Sequence, residues 1–409
     1  MRCDARGRRV LVICQTYPPD HAAVGQCVAD VCDTLAGKGA TVRVIAADRG
    51  YDDPTVRFRA REHLGAVEVL RVGLSSFGKS SLKRRMLGSL FFVANATVRG
   101  LVGPRPDTVL VSTSPPMAPL AGLIVAAWHR SALVYWVMDL NPDQAVATGL
   151  VKRTAVTARL LDWLNRQLLR RAQTVIVLDE RMAERIASKG VVHAELLVIP
   201  PWGGFSEATT ETVPASMFRA GNGLQGRFVV MYSGNHSLVH PLATLLDAAE
   251  RLKDDPRFMF VFVGGGRGKA EVEGRRLSNV LSLPYQPRSA LADSLGAADV
   301  HVVTMGDNML GIVHPSKIYG ILAAGRPVLY FGPAESHVAE IVERHQLGWS
   351  VRHGDVQGAV EALRCTVAQT SAERATVGAR ARGVLERDYQ PSALRQRVAD
   401  AVLRAVSPR

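Results

Sequence analysis

A cation at the start of a short helix is the feature of this sequence that most directly suggests chemistry. The stretch 311–328 predicts a loop and a short helix, with Pro315 at the first helical position and an end at Gly325. His314 is predicted to cap the helix. Lys317 lies in the first turn, where free N–H groups and the helix dipole already supply positive charge. The sequence therefore indicates either a bound anion such as phosphate at this helix start, or a Lys317 that points into water.

Two further candidate positions follow predicted parallel strands. Asp139 ends the apolar strand 133–138, at the carboxyl end where open α/β sheets bind ligands. It could act as a base, an orienting group or a helix cap, although Asp143 is the better cap candidate. Gly25 opens the helix after the first strand, 9–14, so a backbone could approach a phosphate there. The alternative is a plain turn glycine.

Motifs of several other enzyme classes are incomplete. A P-loop fails because Gly268-Lys269 is followed by Ala270 and position 263 is Val. The first strand is followed by no dinucleotide fingerprint, and the sequence contains no His-Glu-x-x-His and no Gly-x-Ser-x-Gly. No Asp-x-Asp stands between a strand and a loop, which disfavours a metal-dependent sugar transferase of the single-domain type. Motifs that read nucleic acid are also missing.

Composition narrows the class of partner. The 409 residues are too many for one compact core and favour two domains. The net charge of +13 is uneven, since residues 1–205 hold 27 Lys and Arg against 17 Asp and Glu, and the rest hold 23 against 20. This basic first half indicates an anionic partner such as a membrane surface or a phosphorylated substrate. Five cysteines without a CxxC pair and no apolar span of 18 residues predict a cytoplasmic protein without a zinc site.

The elements that must position these residues form two runs of alternating apolar strands and helices. Such runs predict parallel sheets buried on both faces. We expect an N-terminal Rossmann-like domain over 1–203, a polar linker over 204–226, and a second Rossmann-like domain over 227–388. A terminal helix over 389–409 completes the chain. The segment 79–93 is predicted to be either an amphipathic helix on anionic lipid, with Lys83, Arg84 and Arg85 beside apolar residues, or a core helix with a solvated basic end.

Seven short motifs together make the sequence resemble the GT-B glycosyltransferases of family four, in the branch of bacterial polysaccharide and O-antigen transferases. In chain order they are Tyr17-Pro-Pro to Gly25, Thr113-Ser-Pro-Pro116, Asp139-Leu-Asn-Pro-Asp143, Tyr232-Ser-Gly-Asn235, Val263-Gly-Gly-Gly266, Pro315-Ser-Lys317 and Leu322-Ala-Ala-Gly-Arg-Pro-Val328. The resemblance covers nearly the whole chain. It implies two Rossmann-like, doubly wound domains that face a cleft, and a terminal helix that crosses back to the first domain.

The resemblance also implies an activity and a set of site residues. It implies metal-independent, retaining transfer of a hexose from a nucleotide sugar, with a UDP-sugar favoured and no cofactor. The acceptor would be a polyprenyl-diphosphate-linked saccharide at the cytoplasmic face of the membrane, in the synthesis of a cell-surface polysaccharide or lipopolysaccharide. Asp139 and Lys317 would be catalytic. The donor-binding residues would be Gly25, Gly234, Asn235, His240, Tyr285, Gln286, Pro315 and Ser316, with Tyr285 and Gln286 near the base.

Departures from the family pattern leave two alternatives. Ile312 and Gly320 stand where much of the family has two glutamates, and His337 stands where the branch often has Glu. An Arg/Lys pair common near the first loop of the second domain is missing, and His236 and His240 are the candidates there. The alternatives are a UDP-sugar 2-epimerase-like isomerase, which needs acid/base carboxylates in the second domain, and a degenerate protein that binds nucleotide sugars without turning them over.

Overall fold

The chain forms two compact α/β units. The computed structural model describes residues 5–20, 22–50, 53–73, 82–190, 195–202 and 216–405. Unit 1 takes Met1–Gly204, Gly311–His314 and Ser392–Arg409, and unit 2 takes Phe205–Leu310 and Pro315–Pro391. Unit 1 is therefore built from three separate stretches of chain.

An eight-stranded sheet forms the centre of unit 1. Its strand order is β3-β4-β2-β1-β5-β6-β7-β8, and every neighbouring pair is parallel except β3 with β4. The strands β1, β5, β6 and β7 are continuous apolar runs because helices cover both faces of the sheet. The strand bounds are β1 Arg9–Ile13, β2 Thr41–Ala47, β3 Arg61–Leu64, β4 Val67–Val72, β5 Thr108–Ser112, β6 Ala132–Trp136, β7 Thr174–Val177 and β8 Glu195–Val198.

Among the described residues, six helices connect these strands. Their bounds are α1 Ala23–Gly37, α2 Leu82–Val102, α3 Ala118–His129, α4 Asp143–Ala147, α5 Val156–Arg171 and α6 Glu180–Ala187. The helices α2, α3 and α5 pack side by side on one face of the sheet. The predicted segment 79–93 lies within or just before α2. Residues 79–81 of it are outside the described residues, and the side chains of Lys83, Arg84 and Arg85 are outside the described side chains.

Unit 2 repeats the architecture with a six-stranded, fully parallel sheet in the order β11-β10-β9-β12-β13-β14. Its strands are β9 Phe228–Ser233, β10 Phe258–Val263, β11 Val280–Leu283, β12 Val300–Thr304, β13 Val328–Phe331 and β14 Gly348–Val351. Its helices are α7 Ser216–Gly221, α8 Ala243–Arg251, α9 Lys269–Gly274, α10 Leu291–Gly296, α11 Lys317–Ala324, α12 His337–Arg344, α13 Val356–Ala368 and α14 Ser371–Asp388. Its core includes the aromatic side chains of Phe228, Phe258, Phe260 and Phe262.

The last helix, α15 (Pro391–Arg404), contributes almost entirely to unit 1. Lys38, next to α1, forms an ion pair with Asp400 at 2.7 Å. Arg397 donates to the Val198 carbonyl at 2.9 Å. These contacts attach α15 to opposite parts of the same unit.

The predicted linker 204–226 differs from the structure in its second half. Residues 203–215 lie outside the described residues. Residues 216–221 form α7, and Phe218 and Leu224 are buried against the sheet of unit 2. The polar composition of this stretch did not indicate that Phe218 and Leu224 would be buried. Within the part of the chain that the structure describes, no helix has the length and apolar character needed to cross a membrane.

Candidate functional site

Lys317 extends from the first turn of α11 towards the loop after β9. Its Nζ donates to the Tyr232 hydroxyl at 2.5 Å and lies 3.4 Å from the carbonyl of Asn235. The Tyr232 hydroxyl donates to that same carbonyl at 2.7 Å. Burial lowers the pKa of Lys317 to about 7. Lys317 is therefore held by neutral oxygens, and its charge lacks the compensation that a nearby anion would give.

Gly234 leaves room for this side chain. A Cβ at residue 234 would come within 2.4 Å of the Lys317 Cε, and the backbone φ of +135° is itself rare for other residues. A Cβ at Gly264 would in turn lie 2.1 Å from the Gly234 carbonyl oxygen. The loops after β9 and β10 thus approach each other through glycines at the carboxyl edge of the sheet, beside the N-terminus of α11.

Two histidines on the loop after β9 have different roles. His236 is buried, its ring contacts Tyr232, and its amide and carbonyl bond to Gly265 and Gly268, so it fixes the glycine-rich turn. The ring Nδ1 of His240 lies 2.6 Å from the Thr304 carbonyl. Since a carbonyl only accepts, Nδ1 carries the proton. Burial, assisted by the Lys317 charge, lowers the pKa of His240 to about 3. A neutral His240 would present Nε2 as an acceptor.

The remaining predicted donor residues lie around the same edge of unit 2. Tyr285 is 55% exposed, its hydroxyl donates to the Gly265 carbonyl at 3.4 Å, and Gln286 follows it. Pro315 is buried. Ser316 is the N-cap residue of α11, is exposed, and makes no capping hydrogen bond through its side chain. The structure brings these residues to one edge, although the helix starts two residues later than the sequence predicted.

Asp139 lies at the corresponding edge of unit 1, just beyond β6. The amides of Met138 and Asp139 both donate to the Thr113 hydroxyl at 3.2 Å, so the loop after β5 holds the turn that presents Asp139. Burial raises the pKa of Asp139 to about 6, partly offset by the charge of His314. Among the described residues, no hydrogen bond to its carboxylate is formed, which leaves the group available to react.

The prediction that His314 caps α11 is wrong. His314 is buried in unit 1, where its Nδ1 lies 2.7 Å from the Asp179 Oδ2. The other oxygen of Asp179 accepts from the amide of Met182 and caps α6. The carbonyl of the buried Ile312 accepts from the Leu140 amide at 2.9 Å, directly beside Asp139. A tertiary hydrogen bond to Asp179 takes the place of the local cap, and the apolar Ile312 fits its buried position.

The prediction that Asp143 is a helix cap is also wrong. Asp143 is the first residue of α4, which begins after Pro142 without a side-chain cap. Its carboxylate pairs with Arg185 at 2.9 Å and with the buried Lys189 at 2.8 Å. These partners lie on and after α6. The network therefore fixes the end of the loop that starts at Asp139.

Gly25 has a packing role that the sequence did not reveal. It lies inside the first turn of α1 and is buried. A Cβ there would meet the Thr16 carbonyl oxygen at 2.8 Å. The helix thus packs directly on the backbone of the loop after β1, and the residue remains a predicted donor contact.

Sequence reasoning missed Asp179, although the same rule that selected Asp139 applies to it. Asp179 directly follows the strand β7 and Leu178, as Asp139 follows β6. Among the described residues, no group of three or more His, Cys, Asp or Glu side chains could hold a metal ion.

Models of two known domain families match this chain, one in each unit. Residues 22–202 match the model of a Glycosyl transferase 4-like domain, and residues 227–369 match that of Glycosyl transferases group 1. The putative colanic acid biosynthesis glycosyl transferase WcaI of Escherichia coli (strain K12) is 26% identical over 356 residues, which are 82% of this chain and 86% of the relative. The probable glycosyltransferase WbjE of Pseudomonas aeruginosa is 26% identical over 323 residues, or 76% and 78% of the two chains.

Solved structures show the same fold. The Anabaena protein Alr3699/HepE in complex with UDP and glucose aligns with a TM-score of 0.70 at 18% identity, over 96% of this chain and 99% of its own. These findings confirm the predicted family resemblance and the predicted pair of Rossmann-like domains of the GT-B type.

Proposed function

This chain belongs to the family of glycosyltransferases that join a Glycosyl transferase 4-like domain to a Glycosyl transferases group 1 domain, and we propose that it transfers a hexose from a UDP-sugar to a polyprenyl-diphosphate-linked saccharide. The transfer proceeds with retention, in the synthesis of a cell-surface polysaccharide. Support for the polysaccharide role comes from the relative WcaI, named for colanic acid biosynthesis. The UDP-sugar is supported by the UDP that HepE binds.

The single observation that carries the donor proposal is the position of Lys317. Its ammonium lies at the N-terminus of α11 and beside two glycine-rich loops, all at one edge of unit 2. Backbone N–H groups at a helix start and an added cation together favour a diphosphate. Cleavage of the glycosyl–phosphate bond builds negative charge on the leaving phosphate. One well-placed donor stabilises such charge by about 3–4 kcal/mol.

We assign roles to the other residues at the carboxyl edge of the unit 2 sheet from their surroundings. Ser316 and the first amides of α11 contact the diphosphate, and Gly234 and Asn235 allow the donor to approach the backbone. The exposed ring of Tyr285, with Gln286, provides a surface for the base. A neutral His240 accepts a hydrogen bond from a donor hydroxyl through Nε2. Pro315 sets the direction of the helix start.

Asp139 is proposed to act on the sugar and the acceptor. Its carboxylate is ionised at pH 7 because its pKa is about 6, and it lacks competing hydrogen bonds. It can stabilise an oxocarbenium-like sugar or accept the proton of the acceptor hydroxyl. Thr113 and the pair of His314 with Asp179 hold its surroundings in place. Gly25 belongs to the same unit and is proposed to border the donor phosphates.

A thermal-shift screen of nucleotide sugars tests the donor proposal directly, since a ligand that binds only the folded state raises its stability. We expect UDP-sugars to stabilise the wild type and to lose that effect in Lys317→Met. Donor turnover that survives in both Lys317→Met and Asp139→Asn would contradict the assignment. Donor binding without any turnover would favour the non-catalytic alternative, which the missing glutamates motivate.

We further propose that the protein is cytoplasmic and binds the inner face of the membrane through α2, α3 and α5. Large apolar side chains are exposed along these three adjacent helices: Met86, Leu87, Leu90, Phe91, Val98, Val102, Ile124, Trp128, Leu160 and Trp163. Single exposed apolar residues are normal, but ten of them on three adjacent helices favour an interaction surface. The excess of Lys and Arg in the first half of the chain favours anionic lipid as the partner of this surface.

Vesicle sedimentation tests this surface. The wild type should sediment with phosphatidylglycerol vesicles, and a Leu90→Glu, Phe91→Glu double variant should remain in the supernatant. Met217→Glu is the control, because Met217 is an even more exposed apolar residue and lies on unit 2. Equal sedimentation of all three proteins would exclude α2 as the membrane contact.

A further inference from the structure

Unit 2 contains a cavity at the edge of its sheet opposite to Lys317. The cavity has a volume of about 320 Å³, within the range of small-molecule pockets. Gly348 begins β14 and Pro327 directly precedes β13, so the cavity lies at the amino ends of the strands. Lys317 and the glycine-rich loops lie at the carboxyl ends. The cavity is therefore separate from the proposed donor site.

Trp349 forms an exposed aromatic wall of this cavity. It lies on the edge strand β14 and is 40% exposed. Its indole Nε1 donates to the Thr366 hydroxyl at 3.1 Å, and that hydroxyl donates to the Ala362 carbonyl at 2.7 Å. The two hydrogen bonds fix the ring without covering it. A large aromatic side chain held rigid and partly open is typical of a binding surface.

The remaining lining combines an apolar floor with planar polar groups. Pro327, Val342 and Val377 supply the apolar part. Gln369 contributes an amide oxygen that is buried and, among the described residues, has no hydrogen-bond partner. Because this oxygen is closed off from solvent, a ligand cannot reach it either. The polar side chains of the lining that a ligand can reach include the exposed Glu343 and Gln346.

Charge restricts the ligand further. The lining includes Glu343 and Arg380, whose charges are opposite, and the neutral amide Gln346. Arg380 also donates to the Gln346 carbonyl at 2.7 Å, so its guanidinium is already engaged. This balance disfavours a phosphate, and the polar lining disfavours a lipid chain.

We propose that this cavity is a second saccharide-binding site, which takes an uncharged sugar unit of a polysaccharide chain. The indole of Trp349 stacks on the C–H face of the sugar ring. Gln346 and Glu343 take its hydroxyls, which both donate and accept. Such a site holds a polysaccharide on unit 2 independently of donor chemistry. The inference does not depend on the proposed function, because it is argued from the cavity alone.

Affinity electrophoresis tests the site. The protein is run in native gels cast with dextran, galactomannan or xyloglucan, and its mobility is compared with that in a plain gel. We expect retardation of the wild type by at least one of these neutral polysaccharides. Trp349→Ala should weaken that binding by about tenfold or more. Met217→Ala, which removes another exposed apolar side chain from unit 2 outside the cavity, should migrate like the wild type.

Two further measurements keep the outcome unambiguous. Trp349→Phe retains an aromatic ring and should retain part of the retardation, while a cooperative unfolding transition in urea reports whether each variant is folded. A wild type that none of the polysaccharides retards, or a folded Trp349→Ala variant that is retarded as strongly as the wild type, overturns the proposal. Neither result bears on donor turnover, which is measured separately.

Discussion

Donor affinity should depend on the protonation of Lys317. Burial lowers the pKa of this lysine to about 7, so its protonated fraction changes across neutral pH. If the diphosphate binds only the protonated form, the apparent Kd is the intrinsic Kd divided by that fraction. The fraction falls from roughly three quarters at pH 6.5 to roughly 3% at pH 8.5, which predicts an affinity about 25-fold weaker at the higher pH.

Lys317→Met provides the matched variant. Its unbranched side chain can still pass over Gly234, but it carries no charge. We expect binding at pH 6.5 to weaken by about 1.5–3 kcal/mol, the usual value of a hydrogen bond to a charged group. The pH dependence should disappear as well, because the titrating group is gone.

Calorimetric titration measures the donor Kd at each pH, in the wild type and in Lys317→Met. The ligand is the UDP-sugar that stabilises the protein most. The diphosphate of a nucleotide sugar keeps a constant charge over this pH range, so the protein is the source of any slope. Binding should also take up a fraction of a proton at pH 8, visible as a dependence on the ionisation enthalpy of the buffer. A wild-type affinity that is constant from pH 6.5 to 8.5, or the same slope in Lys317→Met, would refute the reasoning.

Three further outcomes follow from the site geometry. In Asp139→Asn, turnover should fall by about 100-fold or more, with donor affinity little changed. The wild-type rate should decline below pH 6, because this carboxylate becomes protonated there. Steady-state rates from pH 5 to 8 check both expectations. In Gly234→Ala, the new Cβ meets Lys317 and the φ of +135° is strained. Donor affinity and the urea concentration at the unfolding midpoint should therefore both fall. An unchanged donor Kd would argue against this loop as the donor contact. In His314→Ala, Asp179 loses a buried partner, so the free energy of unfolding measured in urea should fall by about 1–3 kcal/mol. An unchanged free energy of unfolding would show that the contact between His314 and Asp179 contributes little.

Local sequence patterns predicted the features that neighbouring residues determine. Continuous apolar runs gave the strands and their parallel pairing. Gly325 ends α11 in the left-handed conformation, with a φ of +62°, as its position after the helix indicated. The proximity of Lys317 to glycine-rich loops also follows from the rule that carboxyl ends of parallel strands meet at one edge.

Contacts distant in the chain explain what the sequence could not supply. His314 has the features of a local cap, yet it bonds to Asp179, 135 residues earlier. Asp143 bonds to Arg185 and Lys189, which lie 42 and 46 residues later. The cavity beside Trp349 is formed by α12, α13 and α14, and it depends on how these helices pack. Local propensity carries no information on such partners.

The three-part construction of unit 1 has a consequence for synthesis and for dissection of the protein. A ribosome that has released residues up to 204 has released the whole eight-stranded sheet, but neither the loop that pairs with Asp179 nor the helix that carries Asp400. A fragment cut at that point would expose the surfaces that these late segments cover. Unit 1 can reach its final state only after unit 2 has been translated, so this chain should not be divisible into two independent halves.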